Sequence, residues 1–224
     1  MSAPLDREGL LERLRAEGKH RSHDSHPFHV AMHGGRLSKA QIQAWVVNRY
    51  YYQTRVPIKD AIILSKSEDT SFRRRWIHRI IDHDGRSAGE GGLALWLLLA
   101  RGVGLDPAEV AGLTRVVPAA RFACDAYVQF VRERSLLEAV ASSLTELFAP
   151  DIMATRLSAW QTHYPWIDPG VQEYFRSRVT QARSDSEEAI DYVLAHATTR
   201  ELQERGVAAG VTKCESLWAL RDAV

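Results

Sequence analysis

SKAQIQAWVVNRYYYQ, residues 38–53, decides the fold. Ser38 and Gln41 have the spacing in which a capping hydroxyl and the third helical side chain satisfy each other's open amides, so a helix starts here. Ile42, Trp45 and Val46 then recur in steps of three and four, which keeps side chains on one face of an α-helix. The same steps carry the stripe through Arg49, Tyr52 and Gln53. A face this apolar has to pack against other elements, and it takes an arginine and a glutamine inward with it.

Outward from this stretch, the same signals repeat. Asp106 with Glu109, Ser135 with Glu138 and Thr198 with Glu201 have capping-box spacing. Pro27, Pro107, Pro118 and Pro169 fit the first helical position, where a missing amide costs nothing. Gly18, Gly34, Gly85 and Gly104 read as stops. Between them run apolar stripes with a period near 3.6: Phe72, Trp76, Ile77 and Ile80; Leu136, Leu137, Val140, Leu144 and Leu147; Val171, Tyr174, Phe175 and Ala182. No segment alternates as a strand does. The pattern predicts an all-α, compact bundle of seven principal helices, with residues 1–224 forming one helical domain.

At 224 residues and 45% hydrophobic content, the chain is long enough to bury one core. Its 29 lysines and arginines nearly cancel 28 acidic residues, so no overall field draws it to nucleic acid or to an anionic membrane. No apolar run approaches the roughly 20 residues that span a bilayer, and the first ten residues lack a secretory pattern, so a cytoplasmic location is expected. Cys124 and Cys214 stand in no metal-type spacing and read as small core residues.

Polar residues sit on several inward stripes. His83 ends the stripe that begins at Phe72. Tyr174 and Arg178 lie one turn apart on the helix opening near Pro169, and Lys213 shares a face with Gly206, Ala209, Gly210 and Leu217. Ser142, Ser143 and Glu146 form a further polar strip. Each alone is ordinary, because inward arginines usually snorkel or pair and helix-end histidines usually cap. Together, Arg49, Arg156, Arg178 and Lys213 bring several cations into one bundle, with Glu146 the clearest internal anion. Unpaired buried charge costs several kcal/mol, which is comparable with the stability of a whole domain. An anionic ligand resolves the imbalance. The histidines at 20, 23, 26, 29 and 33 do not make a bundle metal site, which wants Glu-x-x-His pairs from two helices. The one such spacing, Glu17 to His20, is broken by Gly18. No metal is expected, and His23 and His29 are the better candidates to face a pocket.

The segments HPFHVAMH, IQAWVVNRYYYQ, RIIDHDG, SSLTELFAP, HYPWI and YFRSR resemble the pyrroloquinoline-quinone synthase family, in register from about Asp6 to about Val224. The resemblance implies a heme-oxygenase-like bundle that forms a homodimer. It also implies an oxidase for the last step of pyrroloquinoline quinone biosynthesis, in which dioxygen oxidises a ring-closing polycarboxylate amino-quinone precursor and leaves as hydrogen peroxide. No cofactor is implied, the quinone being the product. By resemblance, His23, Arg49, Tyr52, Gln53, Tyr127, Glu146, Arg156 and Lys213 line the substrate site, with Arg49, Arg156 and Lys213 anchoring carboxylates. His83 is the general base, exchanging protons near neutral pH, and Tyr174 and Arg178 flank the oxygen site. One position departs from the family pattern: Met153 stands where a histidine is expected, and a thioether cannot donate a hydrogen bond or relay a proton. A thiaminase-like hydrolase would need a cysteine in the pocket, and a di-iron oxidase would need carboxylates and histidines paired across helices. Neither set is visible, whereas Met153 keeps open a relative that binds the quinone without oxidising it.

Overall fold

The computed structural model describes the backbone of residues 3–21 and 23–224 and the side chains of residues 3–17 and 24–224. Among the described residues, eleven α-helices follow one another: α1 (Arg7–Arg21), α2 (Pro27–His33), α3 (Lys39–Ser65), α4 (Thr70–Asp84), α5 (Gly91–Gly102), α6 (Pro107–Ala111), α7 (Pro118–Glu133), α8 (Leu136–Ala141), α9 (Ala149–His163), α10 (Glu173–His196) and α11 (Arg200–Asp222). Three 3-10 turns, His23–Ser25, Ser142–Phe148 and Pro169–Gln172, join some of them. The all-α class holds, and the count exceeds seven.

Capping chemistry sets several of these limits. Ser38 and Gln41 form the full reciprocal box at the start of α3, as do Ser135 and Glu138 at α8. Asp106 caps α6 through the Ala108 amide. Other boundaries differ from expectation. Thr199, one residue later than expected, caps α11, and α1 continues past Gly18 to Arg21. Pro169 opens a 3-10 turn, with α10 starting at Glu173. Gly85 ends α4 at a φ of 80°, where an added Cβ would lie 2.7 Å from the Glu90 carbonyl, so only glycine fits.

The apolar stripe expected from Leu136 to Leu147 is broken. α8 stops at Ala141, and Ser142–Phe148 winds as 3-10 helix before α9 begins. With three residues per turn, side chains at i and i+3 eclipse, so Ser143 and Glu146 lie in one row and Thr145 and Phe148 in another. On α4 the buried positions are Phe72, Trp76, Arg79 and His83, while Ile77 is 38% exposed. The inward face is therefore more polar than its isoleucines implied.

Two apolar clusters form the core. One gathers Trp45, Trp96, Trp160 and Phe175, with ring centroids 5.2–6.4 Å apart in the close pairs. The other gathers Leu10, Ile63, Phe72, Trp76 and Tyr127. α3 is long enough to serve both, placing Ile42 and Trp45 in the first and Ile63 in the second. On α11, Gly206 lets α8 approach until an added Cβ would stand 3.3 Å from that of Ala141.

Candidate active site

Tyr127 of the second cluster and Met153 and Tyr174 of the first face a common cavity, with an empty volume of about 630 Å³. Arg49, Tyr52, Gln53 and Lys59 reach it from α3, His83 from α4, and Tyr127 from α7. Ser143 and Glu146 enter from the 3-10 segment, Met153 from α9, Tyr174 and Arg178 from α10, and Lys213 from α11. Of the residues expected at the site, Arg49, Tyr52, Gln53, His83, Tyr127, Glu146, Met153, Tyr174, Arg178 and Lys213 are thus brought together. Arg156 is buried but stands behind this wall, donating from Nη1 to Met153 Sδ (3.4 Å) and from Nη2 to His29 Nε2 (3.3 Å). His29 faces these guanidiniums rather than the cavity, since Arg221 Nε also donates to its Nε2 at 3.0 Å. The side chain of His23, like that of His20, lies outside the described residues.

The cations fall into two groups. Lys59 is matched, with Asp60 and Ser143 Oγ each at 2.8 Å. Arg79 bonds Glu146 at 2.6 Å and also the Asp185 carbonyl. Arg178 has Asp185 at 3.4 Å. Arg178 and Glu146 therefore already have charged partners, contrary to an excess shared by all the inward cations. Among the described residues, nothing hydrogen-bonds Lys213 Nζ or Arg49 Nη1. Both rest on aromatic faces: Lys213 Nζ stands 3.4 Å from the Tyr127 centroid and 4.2 Å from that of Tyr52, and the Arg49 guanidinium stands 4.0 Å from Tyr52. Arg156 has no acid at ion-pair distance among the described residues.

These surroundings set the protonation states. Burial, then Lys59 and Arg49, holds the Lys213 ammonium well below the usual lysine range. Burial, then Arg178, pushes His83 down to about 3. His83 Nδ1 lies 3.1 Å from the Arg79 carbonyl, which can only accept, so the neutral ring carries its proton on Nδ1 and leaves Nε2 bare. The ring is therefore neutral over the whole physiological range, where exchange near neutral pH was expected. Burial favours a neutral Glu146, but Arg79, Lys59 and Arg178 outweigh it and hold the carboxyl at about 2. Burial raises the phenols of Tyr52 and Tyr127, so both remain hydrogen-bond donors. Tyr174 donates to Gln53 Oε1 at 2.9 Å.

Lys59 and Arg79 are the principal residues the sequence reading missed. Each continues a stripe already traced: Tyr52, Val56, Lys59 and Ile63 follow in steps of three and four, as do Phe72, Trp76, Arg79 and His83. Their acids, Asp60 for Lys59 and Glu146 for Arg79, come from adjacent or remote sequence positions. Cys124 and Cys214 are buried, are not in a disulfide and do not line the cavity. Among the described residues, no group of three or more histidine, cysteine or acidic side chains could hold a metal ion.

A model of the TENA/THI-4/PQQC family matches residues 11–223. The chain belongs to this family. Within it, the pyrroloquinoline-quinone synthase of Acidiphilium cryptum is 49% identical over 224 residues, covering 100% of this chain and 91% of the relative. That of Rhizobium meliloti is 50% identical over 224 residues, covering 100% and 88%. That of Cereibacter sphaeroides is 50% identical over 217 residues, covering 97% and 85%. A domain of unknown function with a heme oxygenase-like fold from Shewanella denitrificans superposes with a TM-score of 0.77 at 15% identity, over 97% of this chain and 91% of that one. A TenA homologue from Pseudomonas syringae gives 0.74 at 13% identity, over 96% and 90%. These two establish the heme-oxygenase-like fold.

Proposed function

We infer that this chain catalyses the last step of pyrroloquinoline quinone biosynthesis. Its similarity to pyrroloquinoline-quinone synthases runs at about half identity along the whole chain. The observation that carries the reading is Lys213 Nζ and Arg49 Nη1, from different helices, both without hydrogen-bond partners among the described residues at one cavity. A planar precursor bearing several carboxylates supplies what they lack.

The remaining lining fits the chemistry of such a guest. His83, with Nε2 unprotonated, accepts ring protons. Arg178, fixed by Asp185, supplies positive charge where superoxide or peroxide develops, with Tyr174 beside it. Arg156, behind Met153, adds positive potential to the cavity without touching the guest, and His23 is assigned to substrate binding by resemblance alone. We read the reaction as cofactor-free, because a reduced quinone passes electrons to dioxygen directly and the cavity's unmatched charge suits anions. We also read the enzyme as a cytoplasmic homodimer. No helix among the described residues is long and apolar enough to cross a membrane.

The test is aerobic incubation of the purified chain with the precursor and a chelator, following quinone absorbance and peroxide together. Turnover supports the reading. Tight binding without product favours the second reading, a quinone-binding relative, which Met153 in the cavity wall keeps open.

A further inference from the structure

The cavity just described carries ammonium, guanidinium and carboxylate groups among its apolar lining; such groups hold water and anions, whereas dioxygen is uncharged and almost apolar. A smaller pocket lies beside it. Its walls are Leu14 of α1, Leu144 and Phe148 of the 3-10 segment, and Val207 and Val211 of α11. Among the described residues its charged lining is Glu17, held by Arg13 at 2.6 Å. Thr145 lines both spaces.

The partition follows from helical geometry. In the 3-10 segment the row of Ser143 and Glu146, continued by Ala149, faces the charged cavity, and the row of Thr145 and Phe148 faces the apolar pocket. On α11, Lys213 and Leu217 face the first space, and Gly210 and Cys214 the second. A single wall therefore separates a charged chamber from an apolar one, and Thr145 is where they meet. Water in a cavity needs two to four polar partners, and apolar cavities stay dry while taking up small apolar guests.

We propose that this apolar pocket holds dioxygen beside the quinone cavity and that Thr145 is the step between them. The proposal rests on the function inferred above, since dioxygen is the reactant it delivers. Gly210 offers the means to test it. An added Cβ there meets nothing closer than the Ala141 carbonyl oxygen at 3.9 Å and Leu14 Cδ2 at 4.0 Å, so a side chain can be introduced at this lining position without a clash at its first atom.

The experiment measures turnover of the full chain at graded dioxygen concentrations, with precursor affinity determined anaerobically. For Gly210→Leu, kcat/KM for dioxygen is expected to fall about tenfold, roughly 1.4 kcal/mol, with precursor affinity unchanged. A folded Gly210→Leu protein with the parent's kcat/KM for dioxygen overturns the proposal. Crystals of the unaltered protein under xenon pressure provide a readout independent of that variant's folding: density between Leu14 and Phe148 is expected, and its absence overturns the proposal. Failure of the unaltered chain to oxidise the precursor, with xenon bound, instead strikes the functional reading.

Discussion

Lys213 Nζ stands 3.4 Å from the ring centroid of Tyr127, buried and without a hydrogen-bond acceptor among the described residues. An aromatic face offsets part of the desolvation of an ammonium, but supplies no countercharge. The protein thus keeps an electrostatic defect that a carboxylate guest removes.

Replacing the ammonium with an apolar group of similar length should stabilise the free protein while impairing binding. For Lys213→Met, thermal denaturation is expected to show a gain of about 1–3 kcal/mol, because an unmatched buried charge is removed. Anaerobic precursor affinity should fall some ten- to a hundredfold. Lower stability together with unchanged affinity would mean that Lys213 is a structural residue.

Binding should take up protons. Burial, Lys59 and Arg49 depress the Lys213 ammonium, and burial and Arg178 depress His83. An arriving polyanion opposes those positive neighbours and raises both groups. Calorimetry in buffers of differing ionisation enthalpy should report net uptake at mildly alkaline pH, diminished in Lys213→Met. Net proton release is the contrary result.

For His83, the two pH profiles should separate. The limb of kcat/KM reports the free enzyme, where this imidazole titrates at about 3, so no His83 limb should appear between about pH 5 and 8. In the complex the bound carboxylates raise it, moving the acid limb of kcat to higher pH. His83→Ala should cut kcat by about 10²–10⁴ while leaving anaerobic affinity near that of the parent. The stability linkage has the same sign: between about 6.5 and 3 the unfolded chain binds the proton and the folded chain does not, so stability falls as pH drops through that window. His83→Gln should flatten this dependence.

The pairing of Arg79 with Glu146 holds α4 to the 3-10 segment at 2.6 Å. Arg79→Met leaves Glu146 without its nearest cation, and urea denaturation should show a loss of about 3–5 kcal/mol. A loss within experimental error would show the pair to be incidental.

Met153 accepts from Arg156 at 3.4 Å and can pass on no proton. Met153→His introduces an exchangeable group at the cavity wall, and stopped-flow oxidation of the bound precursor should accelerate. An unaltered oxidation rate would show that proton delivery runs elsewhere.

Helix class and most of the cavity lining were legible because both depend on spacing. Ser38 with Gln41, and the stripe from Ile42 to Gln53, specify a helix and its inward face before any partner is known. What spacing does not reveal is pairing. Arg79 and Lys213 look alike on their stripes, yet Glu146 of the 3-10 segment reaches Arg79 at 2.6 Å while no acceptor among the described residues reaches Lys213 Nζ, because that depends on how α4, the 3-10 segment and α11 pack. The 3-10 winding of Ser142–Phe148 was also hidden, since Leu144 and Leu147 satisfy an α-helical stripe as well. It is tertiary packing that turns Glu146 toward Arg79 and Thr145 toward the apolar pocket.

The central claim, that Lys213 and Arg49 await the carboxylates of one guest, is tested most directly by a crystal structure of the complex with pyrroloquinoline quinone. A quinone carboxylate oxygen is expected at about 2.7–3.2 Å from Lys213 Nζ and another from Arg49 Nη1. A quinone seated elsewhere, or one leaving both atoms without an anionic partner, would contradict it.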